Sequence, residues 1–383
     1  MAVDSLFETG RSELALVILP TSAADDAAAE AARSAGCLII EVEHVDNDAG
    51  PWCGKNLPGT VQGCGHWAGQ TPRHVRIRSD RDGVYFVAVA DLLLRSSRVR
   101  SLMFAGSMPE AFAGNISLFA ARHGYQVLEF GVAKLAACGR SHATEPLLSL
   151  DQRVAPGLAA LVLIDVQNDF CAPEGATGRS GQPMVMIDAA VARIKILLAA
   201  AREAGLFIVH VRAEYGELFR SVGSPYRFPL SGGREPAVWT ASAADLSHGA
   251  RVPKGPAEIC LPGSWGGEFV AGIEPRSGEA IVTKHRFSAF IDTGLDSLLR
   301  ANGIRSVILA GVTTNCCVES TARDAAMSDY HVVVASDCVA VKDHLRDLHD
   351  ASLESLGLYF GLVRPSSDIV AAWVEPAVAA KGT

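Results

Sequence analysis

SVILAGVTTNCCVESTARDAAMSDYHV, Ser306 to Val332, has a fainter copy of itself earlier in the chain: SLMFAGSMPEAFAGNISLFAARHGYQV, Ser101 to Val127. The two align without a gap at an offset of 205 residues, and the same offset sets RDGVYFVAVADLLLRSSRVRS on RFSAFIDTGLDSLLRANGIRS upstream. Earlier blocks correspond at shorter offsets, ALVILPTS (15–22) with ALVLIDVQ (160–167) and AARSAGCLIIEV with AAREAGLFIVHV. Self-similarity of this kind means that one structural plan is used twice.

Each copy alternates strand and helix. LAALVLIDVQ is a short apolar run of the kind buried on both faces in a parallel sheet. IDAAVARIKILLAAAREA, 187 to 204, reads as a helix, with Gly205 as its C′ residue. LFIVHV, EAIVTK, SVILAG and HVVVASD supply further strands, and LDSLLRANG a further helix. Strands joined by helical crossovers predict a parallel sheet covered on both faces. The expected architecture is α/β: two tandem three-layer α/β/α domains, at 10–140 and 155–378, each with a mainly parallel sheet. The polar segment CGRSHATEPLLSLDQRVAPG, 138 to 157, is the expected boundary.

Composition narrows the class. With 383 residues, 49% of them hydrophobic and 20% charged, the chain reads as a soluble globular protein of more than one domain. A net charge of −8 argues against nucleic-acid binding, whose footprint is basic. No apolar run approaches the roughly 20 residues of a membrane span, and MAVDSLFETGRSE lacks a signal-peptide h-region. Nine cysteines, an odd number in no regular framework, fit free thiols in a reducing cytoplasm. Cys53, Cys64 and His66, in PWCGKNLPGTVQGCGH, match no standard zinc spacing and read as loop residues.

The chemistry is expected at one edge. In open α/β sheets, ligands bind beyond the carboxyl ends of the strands. Asp165 closes LVLI, Lys284 closes AIVT, and the turn 311–317 follows VILA. The segment after Asn315, CVESTARDAAM, reads as a helix whose first turn carries the cysteines. Unpaired N–H groups and the helix dipole favour a thiolate there, and a lysine ammonium lowers the thiol pKa further. A carboxylate in reach can take the thiol proton and return it to a leaving amine. A strand-end Asp is often only a turn former, and Cys is among the most commonly buried residues. Three such groups at one sheet edge nevertheless describe a nucleophilic acyl-transfer site. In the first copy their counterparts are Pro20, Ser79 and Phe112, so the scaffold is repeated without the reactive side chains. Ala111 stands opposite Cys316.

ALVLIDVQNDF, VTKHRFSAF and AGVTTNCCVESTARDA together resemble the isochorismatase-like cysteine hydrolases, strongly over 157–375 and only through the repeat over the first 140 residues. That family includes nicotinamidases, N-carbamoylsarcosine amidase, ureidoacrylate and biuret amidohydrolases, and isochorismatase. The resemblance implies that Cys317, just before Val318, is the nucleophile and that Cys316 falls on a variable position. It implies Asp165 as general base and then acid, with Lys284 orienting and stabilising the charged groups. It also implies an oxyanion hole from the N–H groups of Thr313 and Cys317, after a cis bond between Val312 and Thr313.

The nicotinamidase-like metal pattern is missing from HVRAEYGELFRSVGSPYRF, where a single His210 precedes Arg212, so neither a catalytic metal nor another cofactor is expected. GSWGGEF, KHRFSAF and TNCCVESTARDA point instead to the ureidoacrylate, biuret and carbamoyl branch. By that resemblance Phe170, Arg212, Tyr215, Trp265 and Phe287 border the substrate, though each aromatic also reads as core. Arg212, Arg220, Arg227 and Arg234 crowd one loop and suit a carboxylate as well as a solvated face. The expected protein is an amidohydrolase for a small amide, ureide or carbamoyl compound, assembled as a homo-oligomer, with a fused inactive copy of its own domain. A nicotinamidase-like or isochorismatase-like hydrolase and a non-catalytic scaffold are the rival readings.

Overall fold

Short strands buried on both faces need a helical layer on each side, and both halves of this chain are built that way. The computed structural model describes residues 14–19, 24–34, 37–44, 61–63, 74–79, 84–96, 99–106, 108–128, 146–181, 183–215 and 259–374. The chain divides into two units, Met1–Pro146 and Leu147–Thr383, with the division inside the expected polar boundary.

The first unit runs β1 (Leu14–Ile18), α1 (Ala24–Ser34), β2 (Leu38–His44), β3 (Val61–Gly63), β4 (His74–Ser79), α2 (Val84–Ser96), β5 (Ser101–Ala105), α3 (Glu110–His123) and β6 (Gln126–Leu128). Its sheet has the order β3-β4-β2-β1-β5-β6. Every ladder is parallel except that of β3 with β4. Leu16, Ile18, Ile39 and Met103 pack with Ala28, Ala29 and Ala32 of α1 on one face. Val17, Ile40, Ile77 and Leu102 pack with Phe86 and Leu94 of α2 and Phe112 and Ile116 of α3 on the other.

The second unit runs β7 (Ala159–Ile164), α4 (Val185–Glu203), β8 (Phe207–Ala213), β9 (Ala280–Lys284), α5 (Leu295–Ala301), β10 (Ser306–Val312), α6 (Glu319–Met327), β11 (His331–Ala340), α7 (Arg346–Tyr359), β12 (Gly361–Arg364) and α8 (Ser366–Val374). Its all-parallel sheet has the order β12-β11-β10-β7-β8-β9. Leu161, Leu163, Ile308 and Ala310 meet Ile187, Ile194 and Leu197 of α4 and Ile369 of α8 on one face. Val162, Ile164, Val307 and Leu309 meet Leu295, Leu299, Ala322, Ala325 and Leu356 on the other.

The repeat extends to strand register. Ala15 pairs with Leu38 and Leu102 as Ala160 pairs with Phe207 and Val307. Ile40 pairs with Val75 as Val209 pairs with Ala280, and Ser101 with Gln126 as Ser306 with His331. A polar pin recurs too. The Tyr125 hydroxyl donates to Asp91 Oδ1 at 2.9 Å, and Tyr330 donates to Asp296 Oδ1 at 2.9 Å. Arg95 and Arg300 pair with the same two carboxylates.

Elements not foreseen include β12 and the antiparallel β3, each too short to show a hydrophobic period, and the helices α7 and α8. Helix α4 begins at Val185, ahead of the expected Ile187, because Asp343 accepts from the N–H groups of Val185 (2.7 Å) and Met186 (3.2 Å). That cap comes from a distant loop, which no local pattern reveals. Among the described residues, no helix is long and apolar enough to cross a membrane.

β7 and β10 touch most closely beside the strand ends. Gly311 pairs with Ile164 at φ 130°, and a Cβ there would lie 2.0 Å from the Ile164 carbonyl oxygen. Only glycine fits both demands. Gly311→Ala is therefore expected to lower the urea unfolding midpoint by several kcal/mol equivalent, on the order of the larger single-site losses; a midpoint within error of wild type would refute this account of the strand contact.

Candidate active site

The order β10-β7-β8-β9 brings the carboxyl ends of four strands side by side. Asp165 follows β7 in a left-handed conformation, φ 53°, which Asp tolerates better than most residues. Its N–H donates to the Val211 carbonyl at 2.9 Å, tying it to β8. Lys284, the last residue of β9, has no exposed surface. After β10 the Val312–Thr313 peptide is cis, as the resemblance implies.

The cysteine turn differs from the sequence expectation. Thr313 O accepts from the N–H groups of Cys316 (3.1 Å) and Val318 (3.2 Å). The second bond spans five residues, so Thr314–Val318 forms a wide π-type turn and α6 begins only at Glu319. Cys317 thus lies in an expanded turn ahead of the helix, not in its first regular turn. Such bulges recur at functional sites.

The three expected reactive groups converge. Lys284 Nζ stands 2.8 Å from Asp165 Oδ2 and 3.4 Å from Cys317 Sγ, and donates to the Arg286 carbonyl at 3.1 Å. Asp165 and Lys284 are fully buried, and Cys317 is 6% exposed. Burial raises the Asp165 pKa, against the pull of the Lys284 ammonium 2.8 Å away. Burial works against the charge on Lys284, but Asp165 and Cys317 outweigh it and keep the ammonium above its ordinary pKa.

The thiol runs counter to expectation. Burial and then the negative charge of Asp165 push the Cys317 pKa up, and Lys284 offsets only part of the rise. The raised Asp165 pKa makes that carboxylate the better base. Cys316 is partly buried, with its thiol pushed up to about 11, burial being the main cause.

Most of DVQNDF holds the site without entering it. Gln167 Nε2 donates to the carbonyls of Ala213 (3.0 Å) and Gly267 (2.9 Å), and its Oε1 accepts from Ala213 N at 2.7 Å. Asn168 Nδ2 donates to the Trp265 carbonyl at 2.8 Å. Asp169 accepts from the N–H groups of Ala176 (3.0 Å) and Cys260 (2.7 Å). Asp169 also lies where a side chain on Gly266 would be, 2.0 Å from an added Cβ. These tethers bind GSWGG to the turn that carries Asp165. Thr321 links two further motifs: its hydroxyl donates to the Cys317 carbonyl at 2.7 Å and accepts from Ala289 N at 3.0 Å. The motifs were legible in sequence; that their polar residues chiefly join loops was not.

The candidate pocket residues divide. Tyr215 is buried beside the triad, its ring centroid 5.9 Å from Lys284 Nζ. Phe170 packs against Tyr215 and the core under α4, and Phe287 against the core under α5 and α6. Trp265 is 49% exposed on its tethered turn. Arg212 turns to Thr283, donating at 2.9 Å, and to Glu214. Arg220, Arg227 and Arg234, like Cys53, Cys64 and His66, lie outside the described residues. Among the described residues, no group of three or more His, Cys, Asp or Glu is placed to hold a metal ion.

Comparison with known proteins fits this arrangement to a lineage. The profile of the isochorismatase domain matches residues 159–368. The chain belongs to the isochorismatase family. It is 32% identical over 216 residues to a ureidoacrylate amidohydrolase of Methylobacterium radiotolerans, covering 56% of this chain and 78% of that protein. Against the ureidoacrylate amidohydrolase of an Enterobacter species, identity is 30% over 225 residues, covering 59% and 93% of the two chains. Among solved structures, N-carbamoylsarcosine amidase from Thermoplasma acidophilum is 25% identical, with a TM-score of 0.40 and coverage of 55% of this chain and 96% of that one. As a member of the isochorismatase family, the chain is a hydrolase by lineage, and its family domain is the second unit.

The buried triad makes a stability prediction. In Lys284→Met the Asp165 carboxylate loses its cation, a change that costs about 3–5 kcal/mol in buried pairs. Protonation relieves the carboxylate, so the deficit should be smallest in acidic buffer and widen as pH rises through the raised Asp165 pKa. Urea unfolding of variant and wild type across pH measures the gap; a constant gap would show that the pair carries no such coupling.

Proposed function

We propose that the protein is a cysteine-dependent amidohydrolase that cleaves a C–N bond of a small amide, ureide or carbamoyl compound through a thioester. One observation carries the reading: a single buried ammonium, Lys284 Nζ, lies within 3.4 Å of both the Asp165 carboxylate and the Cys317 sulfur. The names of its relatives, ureidoacrylate amidohydrolases among them, support the substrate class.

In this mechanism Asp165 takes the thiol proton as Cys317 Sγ attacks the substrate carbonyl. The N–H groups of Thr313 and Cys317 bind the oxygen as it gains charge. Collapse of the tetrahedral adduct breaks the C–N bond, and Asp165 passes its proton to the departing nitrogen. Asp165 then removes a proton from water, whose oxygen attacks the thioester. The C–S bond breaks and Cys317 regains the proton, restoring the starting state. Lys284 stays charged throughout and holds both partners in line. Phe170, Tyr215, Trp265, Phe287 and Arg212 are the proposed substrate contacts, and no metal takes part.

We also read the first unit as a degenerate copy of the catalytic domain. At the place of the nucleophile, Phe112 is fully buried and packs on Phe86 with ring centroids 5.8 Å apart. At the place of the lysine, Ser79 is buried and accepts from Phe86 N at 3.1 Å. The expected site there is filled. A homo-oligomer in a reducing cytoplasm completes the reading; the six described cysteines are all free.

The test is ammonia release from ureidoacrylate, biuret, N-carbamoyl amino acids, nicotinamide and aryl amides. Turnover should vanish in Cys317→Ala and persist in Cys316→Ala. Equal rates in wild type and Cys317→Ala would end the mechanism, and preference for nicotinamide would move the enzyme to another branch. The pH dependence of kcat/KM should be bell-shaped, since the active pair holds one proton. Its acid limb should lie above the ordinary carboxyl value of 3.8 and its alkaline limb above the ordinary thiol value of 9.0, because both groups are raised. An acid limb at or below 3.8 would contradict the assignment of Asp165.

A further inference from the structure

Helix α7 meets the cysteine turn and the helix after it, α6, through three polar side chains. His349 Nδ1 stands 2.8 Å from Thr314 Oγ1, with both residues buried. One turn on, the Ser352 hydroxyl donates to Glu319 Oε2 at 2.6 Å. After another turn, Ser355 Oγ accepts from Arg323 Nη2 at 3.0 Å. Spacing of three residues keeps such groups on one helix face. The contacts fall in order along the opposing segment, from the first residue of the π-type turn to the middle of α6.

We propose that His349 is a positioning residue for the proposed hydrolysis: its hydrogen bond to Thr314 holds the Thr314–Val318 turn so that Cys317 Sγ and the adjoining N–H groups meet the substrate carbonyl. The inference rests on Cys317 being the nucleophile. Thr314 adjoins the cis peptide on one side and lies three residues before Cys317 on the other. A wide turn is held by fewer regular helical bonds than an α-helix, so a side-chain anchor at its first residue sets the position of the sulfur. Burial lowers the His349 pKa, which keeps a neutral ring able to share a proton with the hydroxyl. His349 does not touch the triad, and it acts only through Thr314.

Thr314→Val keeps the shape and removes the hydroxyl, Thr314→Ser keeps the hydroxyl, and His349→Gln keeps a polar partner of shorter reach. Steady-state kinetics of these variants, with Cys317→Ala alongside, tests the proposal in the full-length protein. The expected result is a kcat lowered at least tenfold in Thr314→Val and His349→Gln, with KM little changed and with kcat restored in Thr314→Ser, as misplacement of reacting groups by fractions of an ångström predicts. Thermal melts run in parallel confirm that each variant is folded at the assay temperature. Wild-type kcat in folded Thr314→Val and His349→Gln, or equal loss in Thr314→Ser and Thr314→Val, overturns the proposal while Cys317→Ala stays inactive. Activity of Cys317→Ala at the wild-type level overturns it together with the nucleophile. If Thr314→Val does not fold, the comparison of Thr314→Ser with His349→Gln decides: equal kcat in the two overturns the proposal.

Discussion

The second unit is arranged around a charge that water cannot reach. The Lys284 ammonium has no exposed surface and rests between the Asp165 carboxylate and the Cys317 sulfur. An unpaired charge at that depth would cost several kcal/mol, so the groups stand or fall together. Their positions require three strand ends in fixed register. β9 presents Lys284 beside Ala213, β8 ties down Asp165 through the Val211 carbonyl, and β10 meets β7 at Gly311 and Ile164. The parallel sheet is therefore the means by which an expensive charge arrangement becomes tolerable.

That arrangement explains a thiol whose pKa is raised. In an exposed turn, lysine and helix dipole would favour thiolate. Here burial and the neighbouring carboxylate dominate, and the thiol is pushed up. A carboxyl of raised pKa is also the better base. The loops around the triad show the same economy of contact. Gln167, Asn168, Asp169 and Thr321 each tie together segments distant in sequence.

The first unit has the same sheet plan at the positions that align in sequence. Strand register and the Tyr–Asp–Arg pin persist, since they serve folding. Ser79 and Phe112, which align with Lys284 and Cys317, are both buried, and Phe86 packs on Phe112. Scaffold and chemistry are separable in this fold, because sheet register depends on apolar alternation while the site depends on a few strand-end side chains.

Sequence alone determined the α/β class, most strand positions and the strand-end placing of Asp165, Lys284 and the cysteine turn, because hydrophobic period and strand-end placement are local signals. Asp165, Lys284 and Cys317 were each legible at the carboxyl end of an apolar run. Tertiary structure decided what local pattern does not carry. It set the start of α4 through Asp343, the π-type turn under Cys317 through the Thr313 carbonyl, and the link of His349 to Thr314. It also reversed the expected thiol shift. Proton affinities and loop tethers depend on burial and on partners distant in sequence, and those exist only once the sheet has brought its strand ends together.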